Sequence, residues 1–143
     1  MKKTLIILMV SLLAFSLITV VNCSNPEPEE PATISGFNGV VTASGEAAEQ
    51  MASLRQAQAN AVASAIKTLV GDAVWQENET ALTSLFLGEA DSGWQETNAY
   101  IEEERMSNTT EIEGGFSATR TIVVDVAKLE AALQEAGFTI MAP

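Results

Sequence analysis

Residues 45–70, GEAAEQMASLRQAQANAVASAIKTLV, decide the fold. Plotted at 100° per residue, Ala47, Met51, Val62, Ala65, Ile66 and Leu69 gather on one side of a helix. Glu49, Ser53, Gln56, Asn60, Ser64 and Lys67 fall on the other. The pattern predicts an amphipathic helix of about seven turns. Ser44 is the expected N-cap, Glu46 sits near the positive helix end, and Gly71 is placed to supply a left-handed residue that stops it. The many alanines allow close approach to a sheet. Burial of each large apolar side chain stabilises such a packing by about 1.5–3 kcal/mol.

Two residues interrupt the apolar side, Arg55 and Gln58. Arg55 either snorkels past the helix edge, with its stem packed and its head in water, or is partly buried against a carboxylate from the sheet. Glu104 and Asp125 are the candidate partners. In the second case removal of the acid alone is the harmful change, because an unpaired buried charge costs most.

Working outward, residues 37–43, FNGVVTA, read as a strand. Residues 78–90 read as a shorter helix with Leu82, Leu85 and Phe86 on one face and Gly88 at or near its end. A strand is expected from Gly93 to about Ser107, a hairpin turn at Gly114-Gly115, and a strand from Ser117 to Val126. The loop length leaves the hairpin register open, since one residue of slip exchanges the faces. A third helix spans Ala127 to Ala136, closed by Gly137, and Phe138 to Met141 is an expected edge strand. Helices grouped against an antiparallel sheet make an α+β domain. It comprises a small sheet, one long amphipathic helix and two shorter helices within residues 34–143.

The chain's start has a different composition. Lys2 and Lys3 precede an uncharged run, Leu5 to Val21, and the only cysteine, Cys23, follows at once. This is the layout of a secretory signal. Residues 1–22 are accordingly expected to be a signal peptide, with an uncleaved membrane anchor and ordinary cleavage as the alternatives. The stretch Val20-Val21-Asn22-Cys23 resembles the end of a bacterial lipoprotein signal. That resemblance implies that Cys23 becomes the lipidated N-terminus of the mature protein. Residues 24–33, SNPEPEEPAT, hold three prolines and three glutamates and form, with Cys23, the expected linker 23–33. In an extended polyproline conformation it reaches roughly 30 Å from the membrane.

Composition narrows the function classes. With no histidine and one cysteine, the 143-residue chain lacks Ser-His and Cys-His catalysis, internal disulfides and multi-cysteine metal sites. A net charge of −12 argues against nucleic acid as a partner. No phosphate-binding loop, dinucleotide fingerprint or nucleophile elbow occurs, and neither a catalytic site nor a cofactor is expected. Glu102 and Glu104 would share one face of a strand about 6.6 Å apart. Such a pair could serve a hydrolase or a calcium site. Trp75 and Trp94 lie at element ends and are either core residues or anchors for a protein partner.

Three stretches carry a family resemblance: Val40 to Gly45, LRQAQANAVASAIKTLVG at 54–71, and TRTIVVDV at 119–126. Their order resembles that of the LPP-twenty-like bacterial lipoproteins, a family related to the N-terminal domain of the flagellar assembly protein FlgT. The resemblance spans about residues 36–130. It implies a lipoprotein of the bacterial cell envelope, lipid-anchored to the membrane, with its domain in the periplasm or at the cell surface. The implied role is structural or protein-binding, linked in some members to flagella or surface assemblies, and not enzymatic. An envelope hydrolase using paired carboxylates and a small-ligand carrier are the alternatives.

Overall fold

A computed structural model of the chain describes residues 33–143. The expected signal peptide, Cys23 and nearly all of the expected linker lie outside the described residues. The chain divides into two units between Glu30 and Pro31, and every described residue belongs to the second. Among the described residues no helix is long and apolar enough to cross a membrane.

Three antiparallel strands form one sheet: β1 (Val40–Ala47), β2 (Ile101–Ile112) and β3 (Gly115–Val124), in the order β1-β3-β2. Helix α1 (Gln50–Val70) follows β1 and lies across β1 and β3. Helix α2 (Asp72–Leu82) runs into a π turn (Thr83–Leu87), and a 3-10 segment (Gln95–Tyr100) leads into β2. Helix α3 (Val126–Glu135) completes the α+β fold.

The core forms where α1 meets the sheet and the later helices. Val62, Ile66 and Leu69 of α1 pack with Val41 of β1, Ile122 and Val124 of β3, Leu129 and Leu133 of α3, and Leu82 and Phe86 from the second helical segment. Ala57, Ala61 and Ala65, one turn apart along α1, are fully buried. Opposite them, β1 carries Gly45, where a β-carbon would stand 2.4 Å from the backbone nitrogen of Ala57. The alanine stripe and this glycine let helix and strand backbones touch.

That contact corrects the start of the long helix. Ser44 and Gly45 neither cap nor begin it; β1 extends through both to Ala47, paired with β3 as far as Phe116. The chain reverses at Ala48-Glu49, and Glu49 is an N-cap without a side-chain bond. Met51, expected on the buried side, therefore lies at the open start of α1 and is 58% exposed. Ser53, expected outside, is fully buried, its hydroxyl donating to Gln50 O at 2.8 Å.

Gly71 ends α1 with positive φ (89°), but its ψ of 154° is extended and α2 begins at the next residue. The second helix thus starts six residues before the expected Asn78. The π turn closes with Gly88 N donating to Thr83 O at 3.0 Å. Leu82 and Phe86 stay buried while Leu85 turns out to solvent. The expected strand from Gly93 is a turn at Gly93-Trp94, 3-10 from Gln95 to Tyr100, and strand only from Ile101. The hairpin pairs Ile112 with Gly115, which makes a two-residue turn of Glu113-Gly114. Phe138–Met141 is not a strand: Met141 N donates to Leu69 O at 2.7 Å, satisfying a carbonyl that the end of α1 leaves free.

Glu130 of α3 fastens the domain's first residues. It is 3% exposed and accepts bonds from Ile34 N (2.7 Å), Ser35 N (2.9 Å) and the Ser35 hydroxyl (2.5 Å). Burial pushes its carboxyl up, but the bonds from Ser35 and Ile34 outweigh this and hold it below the ordinary carboxylate value. A depressed carboxyl pKa contributes stability above the unfolded value, and this is lost as pH falls through the folded one. Glu130→Gln should therefore cost about 1–2 kcal/mol near neutral pH. Thermal melts of both proteins should converge as the solution is acidified below the ordinary carboxylate range.

Candidate functional site

The sheet has one covered and one open face. Opposed residues in an antiparallel ladder point the same way, so the register sorts them. Val41, Gly45, Ala118, Ile122 and Val124 face α1 and are buried. The open face carries Thr42 opposite Thr121 and Ser44 opposite Thr119, each pair joined hydroxyl to hydroxyl at 2.8 Å. Ser117 lies between Glu46 and Thr110, and Thr119 also opposes Asn108. Met106 and Ile112 flank these polar rows, 50% and 37% exposed. This is a broad hydroxyl- and amide-rich surface, able to donate and accept hydrogen bonds along both directions of the sheet.

The covered face holds a charged pair. Arg120 stands between Ala118 and Ile122 on the side of β3 that faces α1. It makes an ion pair with Glu104 of β2, and its Nη1 donates to Gln58 Oε1 at 2.6 Å. Gln58 Nε2 donates in turn to Thr97 Oγ1 (2.6 Å) and Asn98 Oδ1 (2.8 Å). The network ties α1, β2, β3 and the 3-10 segment together. Arg120 Nε is buried with no partner among the described residues, and burial lowers the guanidinium below its usual pKa.

Of the two courses open to Arg55, the solvent-facing one holds, and the arginine–carboxylate pair is made by Arg120. Arg55 is exposed, beside Gly93, and forms no ion pair among the described residues. Glu104 serves Arg120 instead, and Asp125 accepts from Lys128 N at 3.0 Å as the N-cap of α3. Alternation along Arg120-Thr121-Ile122-Val123-Val124 contained the signal, because Ile122 and Val124 facing inward puts Arg120 inward too.

Trp75 belongs to the core, 5% exposed, with Lys67 Nζ 5.1 Å from its ring centre. Starting α2 at Asp72 turns that residue inward, so it is not a surface anchor. Trp94 is half-buried against the core, with left-handed backbone (φ 59°), and its carbonyl accepts from the Thr97 hydroxyl at 2.7 Å. Register shifts on either side of Glu103 and Glu104 separate the acid run from regular pairing, and Glu102 and Glu103 point into solvent. Among the described residues no group of three potential ligands could hold a metal ion. Cys23 lies outside the described residues. Compared with known proteins, the chain matches no family model, no curated protein and no solved structure.

Proposed function

We propose that this protein is a bacterial cell-envelope lipoprotein that is held at a membrane through Cys23 and presents the open sheet face to a protein partner. The observation that carries the reading is the placement of the sole cysteine one residue beyond the apolar run Leu5–Val21 and before a Pro/Glu-rich spacer. Several acyl chains on one residue anchor stably where a single chain does not. The acidic spacer is repelled by anionic lipid and holds the domain away from the bilayer. The resemblance to LPP-twenty-like lipoproteins supports the same location and a structural or binding role.

The partner's contact surface is polar, and neutral or basic where it meets the acidic hairpin. No reaction is assigned to the chain. Cys23→Ser should move the protein from the membrane fraction to the soluble fraction. The mature wild-type chain should begin at Cys23 with the mass of its lipid; an intact Met1 would reject the tether. For the docking surface, Thr42→Lys with Ser44→Lys should abolish crosslinking to envelope partners while leaving the melting temperature within a few degrees. Unchanged crosslinking would move the contact elsewhere.

A further inference from the structure

The outer edge of β2 has two unlike halves. Its first half contains both register shifts, Ile101/Glu103 and Glu104/Met106, together with Glu102, Glu103, Glu104 and Arg105. Bulges and charges of this kind blunt an edge against further pairing. From Met106 to Ile112 the ladder with β3 is regular, and MSNTTEI contains no proline and one charge. No backbone group of this half bonds to any described residue outside the sheet. At the other edge, by contrast, Ser44 O of β1 accepts from Asn60 of α1 at 2.7 Å.

The open half is complementary to itself. Thr109 lies midway between Met106 and Ile112, and also midway between Arg105 and Glu113. Antiparallel pairing of two copies about Thr109 sets Met106 against Ile112 twice, covering both exposed apolar side chains of the strand. It sets Ser107 against Glu111 and Asn108 against Thr110, and brings Arg105, which sits in the irregular stretch of the strand beside Glu103 at 3.4 Å, near the Glu113 of the other copy. Moving the axis to Asn108 separates Met106 from Ile112. Moving it to Thr110 leaves Met106 opposite the turn glycine, Gly114.

We propose that the protein self-associates through this edge, with a two-fold axis at Thr109 joining two three-stranded sheets into one continuous sheet. The interface is isologous and closed, so it yields a dimer and not a filament. The hydroxyl-rich face then continues across both copies, because Met106, Asn108, Thr110 and Ile112 share it with Thr119 and Thr121. One edge ladder buries little area. The pairing is therefore weak in dilute solution and is strengthened when a common membrane confines both copies. That strengthening rests on the lipid tether; the pairing itself does not.

The test uses the full chain carrying Cys23→Ser, in detergent at fewer than one chain per micelle. A cysteine at the axis meets its own copy about 4.5–5.5 Å away between α-carbons, within disulfide reach. Thr109→Cys should form a covalent dimer under mild oxidation. Ser107→Cys, about 13 Å from its mate in this register, should not. Sedimentation of the chain without an introduced cysteine should show that Arg105→Glu and Glu113→Arg each weaken association up to about tenfold. The two together should restore it. Equal crosslinking at both positions, no crosslinking at Thr109→Cys, or no rescue by the charge exchange would overturn the proposal. An edge occupied by another protein or by the chain's own leader would give that result. Failure of the lipid assignment leaves all of these readouts unchanged.

Discussion

Gly45→Ala should lower the melting temperature of the domain by about 10–20 °C, a loss of about 3 kcal/mol. The added β-carbon would lie 2.4 Å from Ala57 N and 2.7 Å from Gln56 C. Both are backbone atoms inside a helical turn, so no rotamer change relieves the contact. Relief requires α1 to lift from β1, which loosens the packing of Ala57, Ala61 and Val62 and carries on to Ile66. The cause is distance and not backbone freedom, since Gly45 does not have positive φ. Gly114→Ala is the control: it has φ of 86° and nothing within 4 Å of a β-carbon. Its cost should be about 1 kcal/mol, from the strained turn alone. Thermal denaturation followed by circular dichroism separates the two, and equal losses would mean that helix and strand do not touch at Gly45.

The second large effect concerns Arg120 and Glu104. Glu104→Leu leaves a guanidinium whose side chain is 16% exposed without its counter-charge, and its Nε already lacks a partner. The cost should be about 2–3 kcal/mol, below that of a fully buried pair because Glu104 is 38% exposed and partly screened. Arg120→Met removes the buried charge and keeps an apolar stem in the same space, so it should cost about 1–2 kcal/mol, mainly through the unpaired Gln58 Oε1. In the double variant no charge is stranded, and the loss should fall well short of the two single losses combined. Urea denaturation of the four proteins gives the coupling directly. Full additivity would show that the pair contributes nothing to the fold.

The helix and the hairpin were legible because each is written in local periodicity. Val62, Ile66 and Leu69 recur at helical spacing, and Gly114-Gly115 interrupts two strand-forming runs. Strand β3 was legible for the same reason, through Ile122-Val123-Val124. Local pattern and structure diverge where a residue has two uses. Ser44-Gly45 is acceptable local chemistry for starting a helix, yet the structure uses it as strand, because pairing with Ala118 and Thr119 satisfies its backbone and the missing side chain admits α1. Phe138–Met141 has strand composition, yet it bonds the end of α1.

The candidate site divides along the same line. That a basic residue would break the apolar helix–sheet contact, either reaching water or meeting a carboxylate, was readable from the sequence. Which arginine was not, because Arg55 and Arg120 are distinguished only by strand register and by where α1 begins. Trp75 moved to the core for a related reason: the first residue of α2 sets the phase of every side chain after it.

From the order of its residues alone the chain specifies a leader-like start with a cysteine behind it, a long helix rich in alanine, a glycine-turned hairpin and the α+β class that these imply. These depend on neighbours within a few positions, where backbone preference and side-chain period act. Tertiary structure alone decides the open hydroxyl face, the Arg120–Glu104–Gln58 network and the free half of β2. The first two join residues tens of positions apart, brought together only by the pairing register and the close approach at Gly45, and the third follows from the strand order, which leaves β2 at the edge.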